Sequence, residues 1–440
     1  MILGWRKRRI ARHAGKKNPA GNHEMELVIP NHFRCPISLE LMKDPVTLSS
    51  GITYDRESIE TWLEAGNFTC PVTNKMLRSF DQIPNHTLRK MIQDWCVEKQ
   101  NYGVERIPTP RTPVTPIEVS EILFDVSASA RDIDQYRCLE LVQKIQKWGA
   151  ESERNRRCIV ANGAAAVLAA AFDAFSNDSV ERNVAVLEEI LSALNWMFPF
   201  DVEAQKSLGS RASLGCMVWF LSSKDLSPKQ DSIVALKELL ACDQKLVEKL
   251  SDIEGVNELL VEFVKKQICP TITKASIMVI FYMVSVAYSS SEKIKLAFVK
   301  MGLVSLLLEI LVDSEKSICE RALGVLCGLC SCKEGREEAQ SNALTVPVMV
   351  KKILRVSDLA TEYSISAISE LCKYGRRDEG KILVEALQVG AFQKLLLVIQ
   401  VGCGDKTKEK ATELLKLLNP YRAGLECIES VDFKNLKRSF

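Results

Sequence analysis

A helix pattern of apolar residues recurs along the C-terminal three quarters of the chain. In each copy, a small residue stands just before an apolar run with helical spacing, as in "NGAAAVLAAAF" and "MGLVSLLLEI". The clearest copies begin at Gly163, Gly255, Gly302 and Gly390. Weaker copies begin at Gly209 and at Ala343, where alanine replaces the glycine. Neighbouring copies of this pattern therefore lie 41 to 47 residues apart.

A second helix pattern follows each copy, with an alanine at the centre of its apolar face. These alanines are Ala185, Ala235, Ala275, Ala322, Ala367 and Ala411. All-helical repeats of about 40–47 residues are typical of armadillo and HEAT units. A single unit cannot bury its apolar face, so neighbouring units stack. We expect about six units in an α-solenoid over residues 130–422, followed by a polar tail at 423–440.

The pattern before residue 100 is different and predicts a small α+β module. The stretch "DPVTLSSGITYD" combines β-branched residues with Ser-Ser-Gly, which suits a short hairpin. A helix follows, capped by Asp55 and ended by Gly66. Its apolar face consists of Ile59, Trp62 and Leu63. A second helix, "PNHTLRKMIQDWCVEK", is expected to bury Leu88, Met91, Ile92 and Trp95.

A proline-rich stretch separates the module from the repeats. The sequence "GVERIPTPRTPVTPIEV" begins at Gly103 and predicts an extended linker over residues 103–129, because prolines lack amide donors. Three threonines in it each precede a proline, as proline-directed kinases prefer. These candidate phosphorylation sites are Thr109, Thr112 and Thr115. The alternative, a stiff spacer that is never phosphorylated, stays open.

Charge is distributed unevenly along the chain. Residues 1–23 carry seven Lys/Arg and no acid, so the remainder has a net charge of −5. We expect residues 1–29 to be a disordered basic arm, serving in nuclear import, in acidic-lipid contact or in neither. A mildly acidic body is a poor partner for nucleic acid.

The cysteines indicate the cellular compartment of the protein, and the histidines limit the kinds of catalysis that its chain can perform. Fifteen scattered cysteines without a secretory signal indicate reduced thiols and a cytoplasmic protein, with a nuclear location as an open alternative. No histidine follows His86, which excludes histidine-dependent catalysis from most of the chain. The longest apolar stretch, "ASIMVIFYMVSVAY", has 14 residues. Because a membrane span needs about 20, we read it as a buried helix.

Two Cys-Pro pairs look like halves of a zinc module without their partner ligands. Ser38 follows Cys35, and Thr73 follows Cys70, at the spacing where a second cysteine would stand. The module has too few other Cys and His residues to complete two sites. We therefore predict no metal and no cofactor, with hydrogen bonds, charge pairs and a small core holding the loops. Cys35 and Cys70 are interpreted as buried packing residues.

The quoted motifs carry a specific resemblance. "CPISLELMKDPV", "SGITYDRESIETWL", "CPVT" and "PNHTLRKMIQDW" resemble the U-box, a metal-free relative of the RING domain. With the linker and repeats, the chain is similar to plant U-box/armadillo ubiquitin ligases (E3) of the pathogen-elicitor-responsive group. The predicted order is arm 1–29, U-box 30–102, linker 103–129, armadillo-type repeats 130–422 and tail 423–440.

The resemblance implies a function without covalent chemistry on this chain. A U-box docks a ubiquitin-conjugating enzyme that carries ubiquitin as a thioester, and a substrate lysine attacks it directly. The docking residues implied are Ile37, Trp62, Pro71 and Asn74, and the structural ones Cys35, Cys70, Asp55 and Asn85. Some relatives have Arg or Lys at the position of Asn74, so closure of the conjugate is expected to be weaker here unless Lys75 or Arg78 substitutes. A core role for Trp62 stays an alternative.

The remaining expectations concern partners. The resemblance implies a protein substrate on the repeats, a role in defence or stress signalling, and an open question of homo-oligomerisation. The competing hypothesis is a non-enzymatic armadillo adaptor that grips extended peptides with recurring Asn and Trp. Only Asn195 and Trp196 fit that pattern. The thiols Cys319, Cys327, Cys330 and Cys332 are interpreted as helix packing rather than as a metal or redox site.

Overall fold

The chain forms two compact units, divided after residue 112. The structure, a computed structural model, describes residues 29–102, 104–107, 113–285, 291–373, 379–401 and 403–422. The predicted fold class, a small α+β module followed by all-helical repeats, is confirmed. The expected basic arm up to residue 28 and the expected tail 423–440 lie outside the described residues.

Unit 1 contains the predicted hairpin and both predicted helices. Its antiparallel sheet has the order β2-β1-β3, and its helices are α1 and α2. The elements are β1 (Pro45–Thr47), β2 (Thr53–Asp55), α1 (Arg56–Glu64), β3 (Ile83–Pro84) and α2 (His86–Glu98). Gly51, with a φ of 77°, allows the hairpin turn, and Gly66, with a φ of 81°, follows the end of α1.

The core of unit 1 is small and reaches past the predicted boundary at residue 102. Ile59 and Ile92 bring the two helices onto it, and Ile107 belongs to it as well. The predicted buried face of α2 is wrong at Met91, which is half exposed. Arg89 is buried instead, because a carboxylate of the loop before β1 receives its guanidinium.

Unit 2 is built from helices throughout its described residues. It begins with α3 (Pro116–Arg131) and α4 (Gln135–Glu151), and six triplets follow. The first three triplets are α5 (Glu153–Ala161), α6 (Ala164–Asp178), α7 (Val184–Leu194); α8 (Val202–Leu208), α9 (Arg211–Leu221), α10 (Leu226–Cys242); α11 (Leu246–Ser251), α12 (Val256–Lys266), α13 (Pro270–Ser285). The others are α14 (Ser291–Lys300), α15 (Leu303–Asp313), α16 (Lys316–Cys330); α17 (Lys333–Ser341), α18 (Thr345–Lys352), α19 (Asp358–Lys373); α20 (Glu379–Gln388), α21 (Ala391–Val401), α22 (Asp405–Arg422). The third helices of successive triplets pack directly on one another, continuing from α4.

The recurring glycine adopts the same backbone conformation in four triplets. Gly163, Gly255, Gly302 and Gly390 have φ values between 75° and 83°, just before the second helix of a triplet. That left-handed conformation is cheap only for a residue without Cβ, so these glycines set the turn between helices. At Gly209 the φ is −81°, so the turn there does not need a left-handed residue, but an added Cβ would come within 2.9 Å of Gln205 O. Ser210 then caps α9 through its side chain.

The predicted linker is too long at its C-terminal end. Helix α3 occupies residues 116–131, and its Val119, Ile122 and Val126 are buried in the core of unit 2. The repeat region therefore begins before residue 130. The prolines led the prediction to an extended chain, but Pro116 lies at the first position of α3, where a missing amide hydrogen costs nothing.

The apolar helices of the described residues are short relative to a membrane span. No single helix is both long enough and apolar enough to cross a bilayer. Two helix pairs, α5 with α6 and Gly380–Gln388 with α21, reach the required length and composition together, but they are bent by 70° and 71°. Up to Ser285, the stretch predicted as a buried helix belongs to α13, whose Ile277 and Met283 are buried, and its last three residues lie outside the described residues.

Candidate functional site

Unit 1 carries two loops with the same backbone design, residues 35–40 (first loop) and 70–75 (second loop). In the first loop, Leu39 N donates to Cys35 O at 2.8 Å. In the second, Asn74 N donates to Cys70 O at the same 2.8 Å. The residue at this position has a left-handed φ in both loops, 61° for Leu39 and 55° for Asn74. Each loop thus wraps around its cysteine.

Isolated β-bridges close the two loops at their bases. Arg34 pairs with Leu41 below the first loop, and Thr69 pairs with Met76 below the second. The loops therefore repeat one geometry at an interval of 35 residues. The preserved Cys-Pro spacing noted in the sequence corresponds to this shared backbone geometry.

Hydrogen bonds surround the buried thiol of Cys70. The hydroxyl oxygen of Tyr54 lies 3.1 Å from its Sγ. Burial raises the pKa of Cys70, but hydrogen bonds from Ser50, Thr73 and Tyr54 outweigh burial and lower it to about 6. Thr73, at the lost ligand position, is thus a hydrogen-bond donor to the sulfur. Burial, and then the bond to Cys70, raises the pKa of Tyr54.

Cys35 has a comparable environment in the first loop. The backbone N–H of Asp55 lies 3.3 Å from its Sγ. Burial raises the pKa of Cys35, but bonds from the amides of Ser38 and Asp55 and from the Ser58 side chain contribute to lowering it below the usual value. Across the described residues, no group of three His, Cys, Asp or Glu side chains is placed to hold a metal ion.

Asp55 lies at the N-cap position of α1 but does not cap that helix through its side chain. Its carboxylate instead accepts from the backbone amides of Lys43 and Asp44, both at 2.8 Å. Burial raises the pKa of Asp55, although these amide bonds lower it in part. The prediction that Asp55 caps α1 through its side chain is therefore wrong. The same carboxylate oxygen instead accepts from two backbone amides of the loop before β1.

Asp44 is a structural residue that the sequence prediction missed. Its carboxylate accepts from Arg56 Nε of α1 at 2.7 Å and pairs with Arg89 of α2. One acid thus joins both helices to the loop before β1. No local pattern reveals this pair of contacts, since the partners lie 12 and 45 residues away.

Asn85 caps α2 and connects it to the sheet. Its side-chain oxygen accepts from Leu88 N at 3.0 Å, while its amide lies 3.4 Å from the hydroxyls of both Thr47 and Thr53. Those two hydroxyls are themselves 2.9 Å apart across β1 and β2. The side chain therefore ties the start of α2 to the β1–β2 hairpin.

The four residues implied in docking lie on the two loops and on α1. Trp62 is half-buried, and its indole N–H donates to Thr69 O at 2.9 Å, which joins α1 to the base of the second loop. Ile37 and Pro71 are half-buried, and Asn74 is exposed. A groove among these residues stays a prediction.

The sequence interpretation missed two apolar side chains on the same loops. Leu39 is 67% exposed and Val72 is 51% exposed.

The structure describes one of the three candidate phosphorylation sites. Thr109 and Thr112 lie outside the described residues. Thr115 is exposed, and its hydroxyl caps α3 rather than lying in an extended linker. Phosphorylation at these threonines stays a prediction.

The residues of the competing adaptor hypothesis are engaged within unit 2. Asn195 donates to Asp231 Oδ1 at 2.7 Å, and the guanidinium of Arg156 lies 5.6 Å from the Trp196 ring. A Cβ added at Gly149 would come within 2.9 Å of that ring. The pair is therefore part of the internal packing between helices.

The cysteine cluster of α16 likewise has internal contacts. Cys330 is fully buried, and burial raises its pKa. The thiol of Cys332 donates to Leu329 O at 3.2 Å, and the thiol of Cys319 donates to Ser314 O at 3.2 Å. These are contacts of packed thiols within unit 2.

Comparisons with known proteins agree with both units. The family model described as the U-box domain matches residues 29–101, and the model of the plant U-box protein ARM repeat region matches residues 118–438. U-box domain-containing protein 21 of Arabidopsis thaliana is 47% identical, over 96% of this chain and 95% of its own length. E3 ubiquitin-protein ligase PUB23 of the same plant is 36% identical, over 90% of this chain and 94% of its own. A designed armadillo repeat protein of known structure covers 56% of this chain and 98% of its own at 15% identity, with a TM-score of 0.46.

Proposed function

The chain belongs to the plant U-box proteins with an armadillo repeat region and is a U-box E3 ubiquitin ligase, and we propose that unit 1 docks a ubiquitin-conjugating enzyme while unit 2 selects the protein that receives ubiquitin. A U-box ligase works with a conjugating enzyme as its partner, and armadillo repeats bind proteins. The finer assignment to particular residues, targets and cellular roles is the proposal.

Orientation is the physical basis of the proposed reaction. The thioester between ubiquitin and the conjugating enzyme is already reactive, so the ligase has to hold it where a lysine amine can attack. Restricting that geometry converts a rare encounter into a frequent one and needs no nucleophile on the ligase. Cys35 and Cys70, the cysteines nearest the proposed surface, are fully buried, which supports a role for them in the fold.

The proposed docking surface consists of Ile37 on the first loop, Trp62 on α1, and Pro71 with Asn74 on the second loop. The bond from Trp62 to Thr69 O supports it, because it orders α1 against the second loop. Half-buried apolar side chains around one aromatic residue are what a small interface uses for its energy. Asn74 carries no charge, so we expect it to contribute a hydrogen bond and not an ionic bridge to the conjugate.

Loss of apolar contact on this surface tests the docking assignment. We expect Ile37→Ala and Trp62→Ala to slow ubiquitin chain formation about tenfold or more, since a hot-spot side chain contributes more than about 1.4 kcal/mol to binding. Ile268→Ala is a matched control, because Ile268 is a half-exposed isoleucine of unit 2. Full activity of both unit 1 variants would refute the assignment.

The fold of unit 1 must be followed separately in this experiment. Circular dichroism is dominated by the helices of unit 2, so hydrogen exchange in α2 is the better measure. Trp62→Phe keeps an aromatic ring but loses the bond from the indole N–H to Thr69 O and part of the ring volume. If Trp62→Ala loses protection in α2 and Trp62→Phe remains active, Trp62 belongs to the core and not to the docking surface.

Target selection is proposed to lie on unit 2. Stacked repeats expose long surfaces for binding, and α3 is part of that stack, so a fragment should begin at residue 113. Residues 113–440 should bind the target and act as a dominant negative in cells. Residues 1–112 should still build chains with the conjugating enzyme but bind no physiological target. A target captured by residues 1–112 and not by residues 113–440 would overturn this division.

The proposed setting is defence or stress signalling in the cytoplasm, with a nuclear location as a second candidate. The family membership and the reduced thiols support this setting. A tagged full-length chain, imaged before and after elicitor treatment of plant cells, tests it.

A further inference from the structure

The chain is tied down where it enters unit 2. Val114 N donates to Asn155 Oδ1 of α5 at 3.1 Å. Asn155 is itself buried, and its side-chain amide donates to Trp148 O of α4 at 3.0 Å. Residue 114 is therefore joined through one side chain to the α4–α5 turn.

The next residue forms a capping box at the start of α3. The hydroxyl of Thr115 accepts from Glu118 N at 3.3 Å and donates to Glu118 Oε2 at 2.8 Å. The backbone N–H of Thr115 donates to the same carboxylate oxygen at 2.8 Å. These bonds from Thr115, first the backbone and then the hydroxyl, lower the pKa of Glu118, so its carboxylate is charged at neutral pH.

We propose that Thr115 is a phosphorylation switch that opens the first turn of α3 through repulsion by Glu118. Thr115 is exposed and is followed by Pro116, which suits a proline-directed kinase. In the reaction, the Oγ1–P bond forms as the bond between the γ-phosphorus and the bridging oxygen of ATP breaks. ADP leaves, and the hydroxyl proton passes to the kinase base. Fraying of a helix terminus gives the kinase access to the hydroxyl.

Glu118 determines the direction of the effect. A phosphate at a helix N-terminus is normally favourable, because it meets free amides and the positive end of the helix dipole. Here the carboxylate of Glu118 lies at that terminus and already accepts from the backbone amide and the hydroxyl of Thr115. Phosphorylation removes the hydroxyl proton that Glu118 accepts and adds roughly −1.5 to −2 charges beside it. The capping box therefore has to open.

Opening would release the chain ahead of α3. A helical residue advances about 1.5 Å and an extended one about 3.4 Å, so each residue freed lengthens the path between the two units by about 2 Å. Loss of the first turn also exposes the Val114–Asn155 bond to water. The switch would thus alter the reach between the conjugating enzyme and the target.

Hydrogen exchange in the full-length chain tests the proposal. Thr109→Val and Thr112→Val leave Thr115 as the only threonine of the linker that precedes a proline, and a purified proline-directed kinase with ATP supplies the phosphate. Mass spectrometry should find phosphate on Thr115. We expect the amides of residues 114–120 to exchange at least several-fold faster after phosphorylation, while α6 is unchanged.

The matched variant is Glu118→Gln, because glutamine can keep the capping box but has no charge. In this variant, phosphorylation should leave exchange unchanged or slow it. Three outcomes would overturn the proposal: no phosphate on Thr115, slower or unchanged exchange with Glu118 present, or equal acceleration in Glu118→Gln. Slower exchange with Glu118 present would indicate that Lys144, which lies near Glu118, pairs with the phosphate.

Discussion

Tyr54 and Cys70 contact each other in the core of unit 1, with the phenol oxygen 3.1 Å from the sulfur. Both side chains are fully buried, and the same hydroxyl also accepts from Val72 N at 3.4 Å. One phenol thus contacts both the thiol and the backbone of the second loop. In a zinc module a metal ion would have that role.

Removal of this hydroxyl should loosen the second loop. Tyr54→Phe leaves the ring in place but deprives Val72 N and Cys70 of their partner. We expect a loss of about 1–3 kcal/mol in the free energy of unfolding, the cost of leaving buried polar groups unpaired. Urea unfolding of residues 29–112 measures it. An unchanged midpoint would show that water replaces the hydroxyl.

Unit 1 should fold without metal. Its thiols already have hydrogen-bond partners, and Asp44 joins both helices. We expect elemental analysis of the purified residues 29–112 to find no stoichiometric zinc, and EDTA to leave the melting temperature unchanged. One bound zinc per chain, or a drop in melting temperature with EDTA, would contradict this prediction.

The stability of unit 1 should rise with pH between 6 and 8. Burial raises the pKa of Cys70, but the surrounding hydrogen bonds lower it to about 6 in the folded state, below the unfolded value of about 8.5. A depressed folded pKa contributes stability that is complete above the unfolded pKa and is lost as the pH falls through about 6.

The predicted slope can be assigned with one variant. A single such group changes the free energy of unfolding by at most about 1.4 kcal/mol per pH unit. Cys70→Ser retains a hydrogen-bonding side chain that does not titrate in this range, so its slope should be smaller than that of the wild type. Tyr54 does not interfere, because its pKa is raised and it stays protonated. Equal slopes would show that Cys70 remains a neutral thiol.

Two glycines of unit 2 should respond in opposite ways to alanine. A Cβ at Gly335 would collide with the backbone oxygen of Leu329, which cannot move without shifting α16. We expect Gly335→Ala to destabilise unit 2 by about 2 kcal/mol or more. Gly215 lies inside α9 with no atom within 4 Å of an added Cβ. Gly215→Ala should therefore stabilise by about 0.5–1 kcal/mol.

Thermal unfolding of the two alanine variants, measured on residues 113–440, tests this pair. The comparison separates steric collision from helix propensity, since both variants gain the same propensity. A stabilised Gly335→Ala would show that the turn between α16 and α17 adjusts freely.

The fold class of both units can be predicted from local patterns in the sequence. A glycine or small residue every 41 to 47 residues, followed by helical apolar spacing, was enough to predict the repeats, because turns and amphipathic periods are local properties. The missing second cysteines at Ser38 and Thr73 led to the prediction that hydrogen bonds hold the loops, and such bonds are present at Cys35 and Cys70. The resemblance implied a structural role for Asn85, whose side chain accepts from Leu88 N at the start of α2.

Contacts between side chains that lie far apart in the sequence became visible only in the three-dimensional structure. Met91 lies outside the core and Arg89 inside it, because Asp44, 45 residues earlier, provides the opposite charge. Asp55 turns from α1 to two amides of a distant loop for a similar reason. Helix α3 was missed because the burial of its apolar face depends on α4 and α6, with which it packs. Local periodicity contains no information about such partners, since burial and pairing free energies depend on what lies opposite in space.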